Sequence, residues 1–335
     1  MTGSRPIVAV TMGDPAGVGP EIAVKALLKP AVQSVCTPVL IGDLGVLQRT
    51  VQQLNLKAEF NVVVDPSAAV CKLGVIDVFD LGNVDLGSFK IGKVSVEAGR
   101  AAIEYVKKAT ELALARLVDA VATGPINKQA VSLAGCPYIG HTEMLAAFCG
   151  VVDPLTMFWV RGARIFFLTR HLPLVEAIRA VKKDRIVETV VRIVAELEKI
   201  GLKKPLVAVA ALNPHASDEG LVGCEEAREI VPAVEELRVR GLRVVGPVPA
   251  DTVFVKALEG RYDAVLSLYH DQGHIAAKTV DFYGTVSVTF GLPFLRTSVD
   301  HGTAYDIAGR GVADSRSLEE AVKLAAVMVA GRRGA

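Results

Sequence analysis

Aromatic side chains are scarce in this chain, at 5% of 335 residues with a single tryptophan. That leaves too few flat rings to build a base-stacking platform. Charge of either sign is not in excess: 37 lysines and arginines face 36 acidic residues, for a formal net charge of +1. No global field therefore draws nucleic acid or an anionic membrane surface. The five cysteines, Cys36, Cys71, Cys136, Cys149 and Cys224, are odd in number and contain no CxxC pair. They argue against a disulfide framework and for reduced thiols. No uninterrupted apolar run approaches a membrane span. The opening "MTGSRPIVAV" passes straight into Gly-Asp-Pro with no cleavage-site pattern. The expectation is a cytoplasmic protein with no nucleic-acid or membrane partner.

What the chain does have is apolar substance, 51% hydrophobic residues, enough for one large or two ordinary domains. Six short apolar runs bounded by turn residues read as buried strands: residues 6–12, 37–43, 119–125, 163–170, 205–213 and 263–270. They show little alternation, as expected when helices cover both faces of a sheet. Between them lie segments of helical period. Residues 95–117 begin after Ser95, a plausible N-cap, and residues 184–202 end on Lys199 and Gly201. Residues 224–242 contain Pro232, which predicts a kink or break, and residues 317–334 close the chain as an amphipathic helix. Alternating strands and helices predict an α/β fold with a mainly parallel sheet. No repeat or linker marks a simple cut, so two subdomains would be interleaved.

Ligands of open α/β sheets sit beyond the carboxyl ends of the strands. Three of the six histidines fall at such ends: His171 in "TRH", His215 in "NPH" and His270 in "YHDQGH". Converging imidazoles suit a divalent metal of the zinc, cobalt or nickel type, and could equally cap backbone or bind substrate without metal. In "LYHDQGH", His270 and His274 are four apart. Gly273 argues against a ligand-bearing helix there, which leaves His270 as the metal candidate and His274 as a supporting residue. "GDPAGVGPE" lacks the third glycine of a dinucleotide fingerprint, and Pro20 fits the first turn of a helix instead. "ATGPINKQ" and "GHTEM" offer Thr123, Asn127, Lys128, His141 and Thr142, and "LPFLRTSVDHGTAYDIAG" offers Arg296, Thr297 and Ser298. Both compositions suit an anion such as phosphate, or helix caps.

Taken in order, "MGDPAGVGPE", "TGPINK", "GHTE", "LNPH", "YHDQGH" and "GLPFLRTSVDHGTAYDIAG" resemble the 4-hydroxythreonine-4-phosphate dehydrogenase family. That family includes relatives acting on 4-phosphothreonate or 4-phosphoerythronate. The resemblance covers nearly the whole chain. The last loop is also similar to the "HGSAPDIAG" adenosine-side loop of isopropylmalate and isocitrate dehydrogenases. The implied fold is two interleaved α/β subdomains of that dehydrogenase type, with an active-site cleft between them. Approximate boundaries are residues 1–130 plus 300–335 for the NAD side, and 131–299 for the metal, substrate and dimerisation side.

By position, the resemblance implies that His171, His215 and His270 bind one divalent metal (zinc, magnesium or cobalt) shared between the subunits of a homodimer. His141, Thr142, Lys278, Ser287 and Arg296 would contact substrate, and His301, Gly302, Thr303 and Asp306 would hold NAD or NADP. Ser287 departs from the pattern, standing in "VSVT" where relatives have asparagine; a hydroxyl lacks an amide's separate donor and acceptor. The implied reaction is metal-assisted, NAD-dependent oxidation of 4-phosphohydroxy-L-threonine in vitamin B6 biosynthesis, with loss of carbon dioxide from the β-keto acid. Asp271 and Lys278 are the candidate bases. The spellings "TGPINK" and "HGTAYDIAG" lean towards the phosphothreonate branch. A metal-dependent hydrolase or lyase without redox chemistry, and a phosphosugar-acid sensor, are the rival readings.

Overall fold

The computed structural model describes residues 5–334, and the chain separates into two compact units. Unit 1 comprises Met1–Pro154 and Val286–Ala330, and unit 2 comprises Leu155–Thr285 and Gly331–Ala335. The two units interleave, the chain passing between them at 154/155, 285/286 and 330/331, where the expected boundaries lay near 130 and 300. The segments bearing His141 and Arg296 consequently belong to unit 1.

In chain order the strands are β1 (Ile7–Thr11), β2 (Thr37–Gly42), β3 (Glu59–Val62), β4 (Val75–Asp80) and β5 (Ala120–Thr123) in unit 1. Unit 2 has β6 (Leu155–Val160), β7 (Ala163–Phe167), β8 (Val207–Ala210), β9 (Val244–Val248) and β10 (Ala264–Ser267). The chain then returns to unit 1 with β11 (Val286–Phe290) and β12 (Leu295–Ser298). Within unit 1 the strand order is β3-β4-β2-β1-β5-β12-β11, and within unit 2 it is β6-β7-β10-β8-β9. All six apolar runs form strands. Their lack of alternation has the expected cause: β5, β8 and β10 are buried at every position.

The sheets are mainly parallel, with two antiparallel hairpins, β6–β7 and β11–β12. β6 and β7 are joined by two residues, Arg161 at φ 45° and Gly162 at φ 91°. Positive φ at both central positions matches the right-handed twist of the flanking strands. Periodicity misses β11 and β12 because each is short and its neighbours carry turn residues, Gly291 and Pro293 among them.

Helix Val96–Leu114 begins as expected, with the Ser95 hydroxyl accepting from Ala98 N–H at 3.4 Å. The expected break at Pro232 takes a specific form. A π-helical turn, Glu226–Ile230, runs into an α-helix, Val231–Val239, with Pro232 in its first turn, where a missing N–H costs little. Helix Gly19–Leu27 likewise starts with Pro20 in its first turn. One expectation fails. Gly273 does not keep "YHDQGH" out of a helix, because His270–Val280 is helical. The glycine is needed for packing: a Cβ there would lie 2.6 Å from Phe167 Cε1 and 3.0 Å from Ile165 Cγ2. Among the described residues, no helix is long and apolar enough to cross a membrane.

Candidate active site

In unit 2, β7 ends just before His171 and β10 just before Tyr269, and parallel pairing of these strands brings both ends together. His171 and His270 rings lie 5.9 Å apart, centre to centre. Both line a cavity of about 330 Å³, together with Arg170, Tyr269, Asp271 and the aliphatic Leu172 and Leu174. His270 opens its helix, and its Nδ1 lies 2.6 Å from Asp271 Oδ1. An ionised carboxylate only accepts, so Nδ1 carries the proton and the Nε2 lone pair remains for a ligand.

His274 lies one turn on. Its ring stacks on His270 at 3.6 Å and 13°, and packs against Phe158 and Phe167. Its Nδ1–H donates to the His270 carbonyl at 2.9 Å. Burial, then the neighbouring His270, push its pKa down to about 4. Parallel rings do not converge on one ion, so this pair is a stack and not a two-histidine clamp. Lys278, on the same helix, has its ammonium 5.5 Å from the Phe282 ring centre.

His215 is placed differently. Residues His215 to Glu219 all have φ between 43° and 72°, five left-handed residues in succession. Each costs energy in an L-peptide, so the surroundings must enforce the turn. Glu226, 2% exposed, supplies the anchor. Its carboxylate accepts from Leu212 N–H, Asn213 N–H and Asn213 Nδ2 at 2.7–2.9 Å. The His215 ring is largely exposed and lies 3.1 Å from Asp218 Oδ2. Among the described residues, no group of three or more His, Cys, Asp or Glu is gathered as a metal cage. His171 and His270 are chemically suited to be two nitrogen donors to a divalent metal, and further ligands would have to come from outside that pair.

In unit 1 the dominant feature is a buried cation. Arg296 on β12 is 3% exposed. Its Nε and Nη2 donate to Thr123 Oγ1 at 3.1 and 2.7 Å, and Nη1 donates to Thr289 Oγ1 at 3.1 Å. β12 pairs with β5 and β11, which is why these hydroxyls reach it. Burial lowers the Arg296 pKa to about 10, against the pull of Glu143 and Asp300. Burial and this guanidinium hold His141 well below the ordinary imidazole value, and its enclosed Nε2 has no hydrogen-bond partner. A neutral imidazole, a cation and threonine hydroxyls suit a phosphate or carboxylate. Thr142 occupies the first turn of helix His141–Cys149, and Ser287 sits opposite Ser298 on β11. Asn127 caps its helix through Ala130 N–H at 2.9 Å.

The loop expected to hold the nicotinamide cofactor is also in unit 1. Asp14, fully buried at the end of β1, accepts from Ala16 N–H and Tyr305 O–H, both at 2.7 Å. Burial raises its pKa despite these bonds. Val18 N–H donates to the Thr303 carbonyl at 2.9 Å, and a Cβ at Gly17 would meet Thr303 at 2.8 Å. The loop is thereby fixed with Thr303 buried, His301 partly exposed, and Gly302 and Asp306 exposed. An exposed Gly302 with open space around it lets a planar or phosphorylated ligand approach the backbone, so the residues fit a dinucleotide edge.

Residues 34–325 match the family described as "Pyridoxal phosphate biosynthetic protein PdxA". The chain belongs to this family. A protein of Symbiobacterium thermophilum named "Putative D-threonate 4-phosphate dehydrogenase" is 52% identical over 330 residues, 98% of each chain. A Clostridium botulinum protein of the same name is 51% identical over 326 residues, 97% of this chain and 98% of its own. The crystal structure of 4-hydroxythreonine-4-phosphate dehydrogenase from Klebsiella pneumoniae superposes with a TM-score of 0.89 at 39% identity, covering 97% and 100% of the two chains. The expected family and the dehydrogenase class are borne out. Readings as a hydrolase, a lyase or a sensor are set aside.

For this PdxA-family chain, sequence reasoning selects His171 from "TRH" and passes over Arg170, which lines the same cavity. It also misses Thr289 and the Glu226–Asn213 clasp, since neither a lone threonine nor a lone glutamate signals a ligand. For Tyr305 a signal exists: it stands where "HGSAPDIAG" has proline.

Proposed function

We propose that this protein oxidises a four-carbon phosphorylated hydroxy acid with NAD and a divalent metal, releasing carbon dioxide from the β-keto acid. The substrate we favour is D-threonate 4-phosphate, because the relatives about half identical to this chain carry that name. Oxidation of 4-phosphohydroxy-L-threonine in vitamin B6 biosynthesis is the second reading, favoured by the name of the Klebsiella structure.

The observation that carries the proposal is the His171–His270 pair with its Asp271-oriented tautomer. These imidazoles would hold the metal, with His215 supplied by the second subunit of a homodimer, and exposed Leu172 and Leu174 beside the pair suit coverage by another chain. The bound metal supplies Lewis acidity to the oxidised hydroxyl and its product. Arg296 binds the substrate's anionic group and Thr123 holds the guanidinium in place. His141 stays neutral and presents Nε2 as an acceptor or donor to substrate, with Thr142 beside it. Ser287 would contact the substrate through its hydroxyl. Asp271, whose Oδ2 is not engaged by His270, and Lys278 in its neutral form are the candidate groups to take the hydroxyl proton. His301, Gly302, Thr303 and Asp306 would bind the adenosine side of NAD or NADP. The five free thiols suit a cytoplasmic setting.

The test is absorbance of reduced nicotinamide with NAD, Mg²⁺ or Zn²⁺, and each of three acids: D-threonate 4-phosphate, D-erythronate 4-phosphate and 4-phosphohydroxy-L-threonine. Reduction with at least one acid, abolished by chelator and restored by metal, is expected. No reduction with any of them would reject the proposal.

A further inference from the structure

The loop from His301 to Gly309 carries both strain and the contacts that hold it. Ala304 has φ 40°, a left-handed conformation that a residue with a Cβ adopts only at a cost. Released, it would return to negative φ and turn its neighbours with it. It is fastened on both sides. Before it, the Thr303 carbonyl accepts from Val18 N–H at 2.9 Å. After it, the Tyr305 hydroxyl donates to Asp14 Oδ2 at 2.7 Å. Asp14 also receives backbone N–H groups of Ala16, Gly17 and Asn127, all outside the loop. Tyr305 therefore ties the loop to a carboxylate that the rest of unit 1 already fixes. Its carbonyl is packed as well, since a Cβ on Gly92 would lie 2.6 Å from that oxygen. Past the loop, Glu21 accepts from Ala313 N–H at 2.8 Å, and Lys25 donates to the Gly311 and Ala313 carbonyls at 2.8 and 2.9 Å. The far end is thus held independently of Tyr305. Losing the tyrosine hydroxyl would free the stretch around Ala304, which includes the exposed Gly302 and Asp306.

A hydrogen bond to a carboxylate shifts an equilibrium by roughly tenfold or more. A left-handed alanine forfeits about as much, so one tyrosine hydroxyl is enough to decide which way residue 304 points. We propose that Tyr305 is a positioning residue for the dinucleotide: through Asp14 it keeps Ala304 left-handed and so presents the backbone of Gly302 and Thr303 in the conformation that receives the cofactor. The inference rests on the reading of residues 301–306 as the cofactor's edge.

The test is calorimetric titration of NADH and of NADPH into the full chain, as wild type, Tyr305→Phe, and Tyr305→Phe combined with Ala304→Gly. Hydrogen exchange across residues 301–309 is followed on the same samples without ligand. Tyr305→Phe keeps the ring and removes only the hydroxyl. It should weaken the better-bound dinucleotide about tenfold and quicken exchange in the loop. Inorganic phosphate, whose binding depends on Arg296, should keep its affinity within about twofold. Adding Ala304→Gly removes the strain, because glycine enters the left-handed region freely, and should recover at least about threefold of the lost affinity. Unchanged dinucleotide affinity in Tyr305→Phe overturns the inference. So does an equal loss for dinucleotide and phosphate, which marks general destabilisation, and so does a double variant no better than the single one. A wild type that binds neither dinucleotide overturns it from the other side, by removing the cofactor reading on which it stands; faster exchange in Tyr305→Phe would then mark the Asp14 contact as structural alone.

Discussion

Replacing Arg296 with methionine separates binding from stability. The guanidinium is 3% exposed and its hydrogen-bond acceptors are two neutral hydroxyls, those of Thr123 and Thr289. Its pKa falls from the ordinary 12.5 to about 10, which corresponds to roughly 3 kcal/mol of burial cost. Against that stand three hydrogen bonds worth about 1 kcal/mol each. The opposing quantities nearly cancel, so Arg296→Met, similar in reach and apolar, should leave the unfolding free energy within about 1 kcal/mol of the wild type. Binding of inorganic phosphate should fall at least about a hundredfold, because the fixed cation is gone. Urea unfolding and phosphate titration measure the two quantities on the same samples. A variant destabilised by more than about 3 kcal/mol that still binds phosphate normally would refute the reasoning and make Arg296 a structural residue.

Three further outcomes follow from the packing. His141, held neutral by burial and Arg296, has a folded pKa well below its unfolded 6.5. The unfolded chain then takes up the proton first, so the stabilisation is complete above about pH 6.5 and declines as pH falls below it. His141→Gln should flatten that part of the melting-temperature profile, and an unchanged slope would remove His141 as its source. Glu226→Gln turns an amide N–H₂ towards donors that now meet a carboxylate, at a cost of about 1–3 kcal/mol. Proteolysis or hydrogen exchange should quicken across residues 213–222, and unaltered protection would mean that something else enforces the left-handed turn. Gly273→Ala should destabilise by about 1–3 kcal/mol through overpacking against Phe167 and Ile165. Equal stability in urea would show that the helix can shift.

The sequence exposes much of this architecture because burial on both sheet faces writes strands as continuous apolar runs. β1, β5, β8 and β10 are legible for that reason. β12 is not, since Arg296, Thr297 and Ser298 give it the composition of a loop, and only pairing with β5 makes it a buried strand. Gly273 misleads in the same way: intrinsic propensity speaks against a helix, and contact with Phe167 overrides it. The histidines at strand ends are visible, and the pairing of β7 with β10 accounts for two of them meeting. His215 is not gathered with that pair into a three-ligand group among the described residues, and it opens a run of five left-handed residues that no residue preference announces.

The interleaved chain also fixes an order of assembly. Nearly all of unit 2 lies between residues 155 and 285, so on the ribosome it emerges before β11 and β12 exist. Until then β5 lacks its β12 neighbour, and Thr123 has no guanidinium to receive. The pairing of Arg296 with Thr123 thus forms only after the bulk of unit 2 has been made. A chain truncated before β12 could fold much of unit 2 yet would lack the buried guanidinium that Thr123 and Thr289 hold in unit 1.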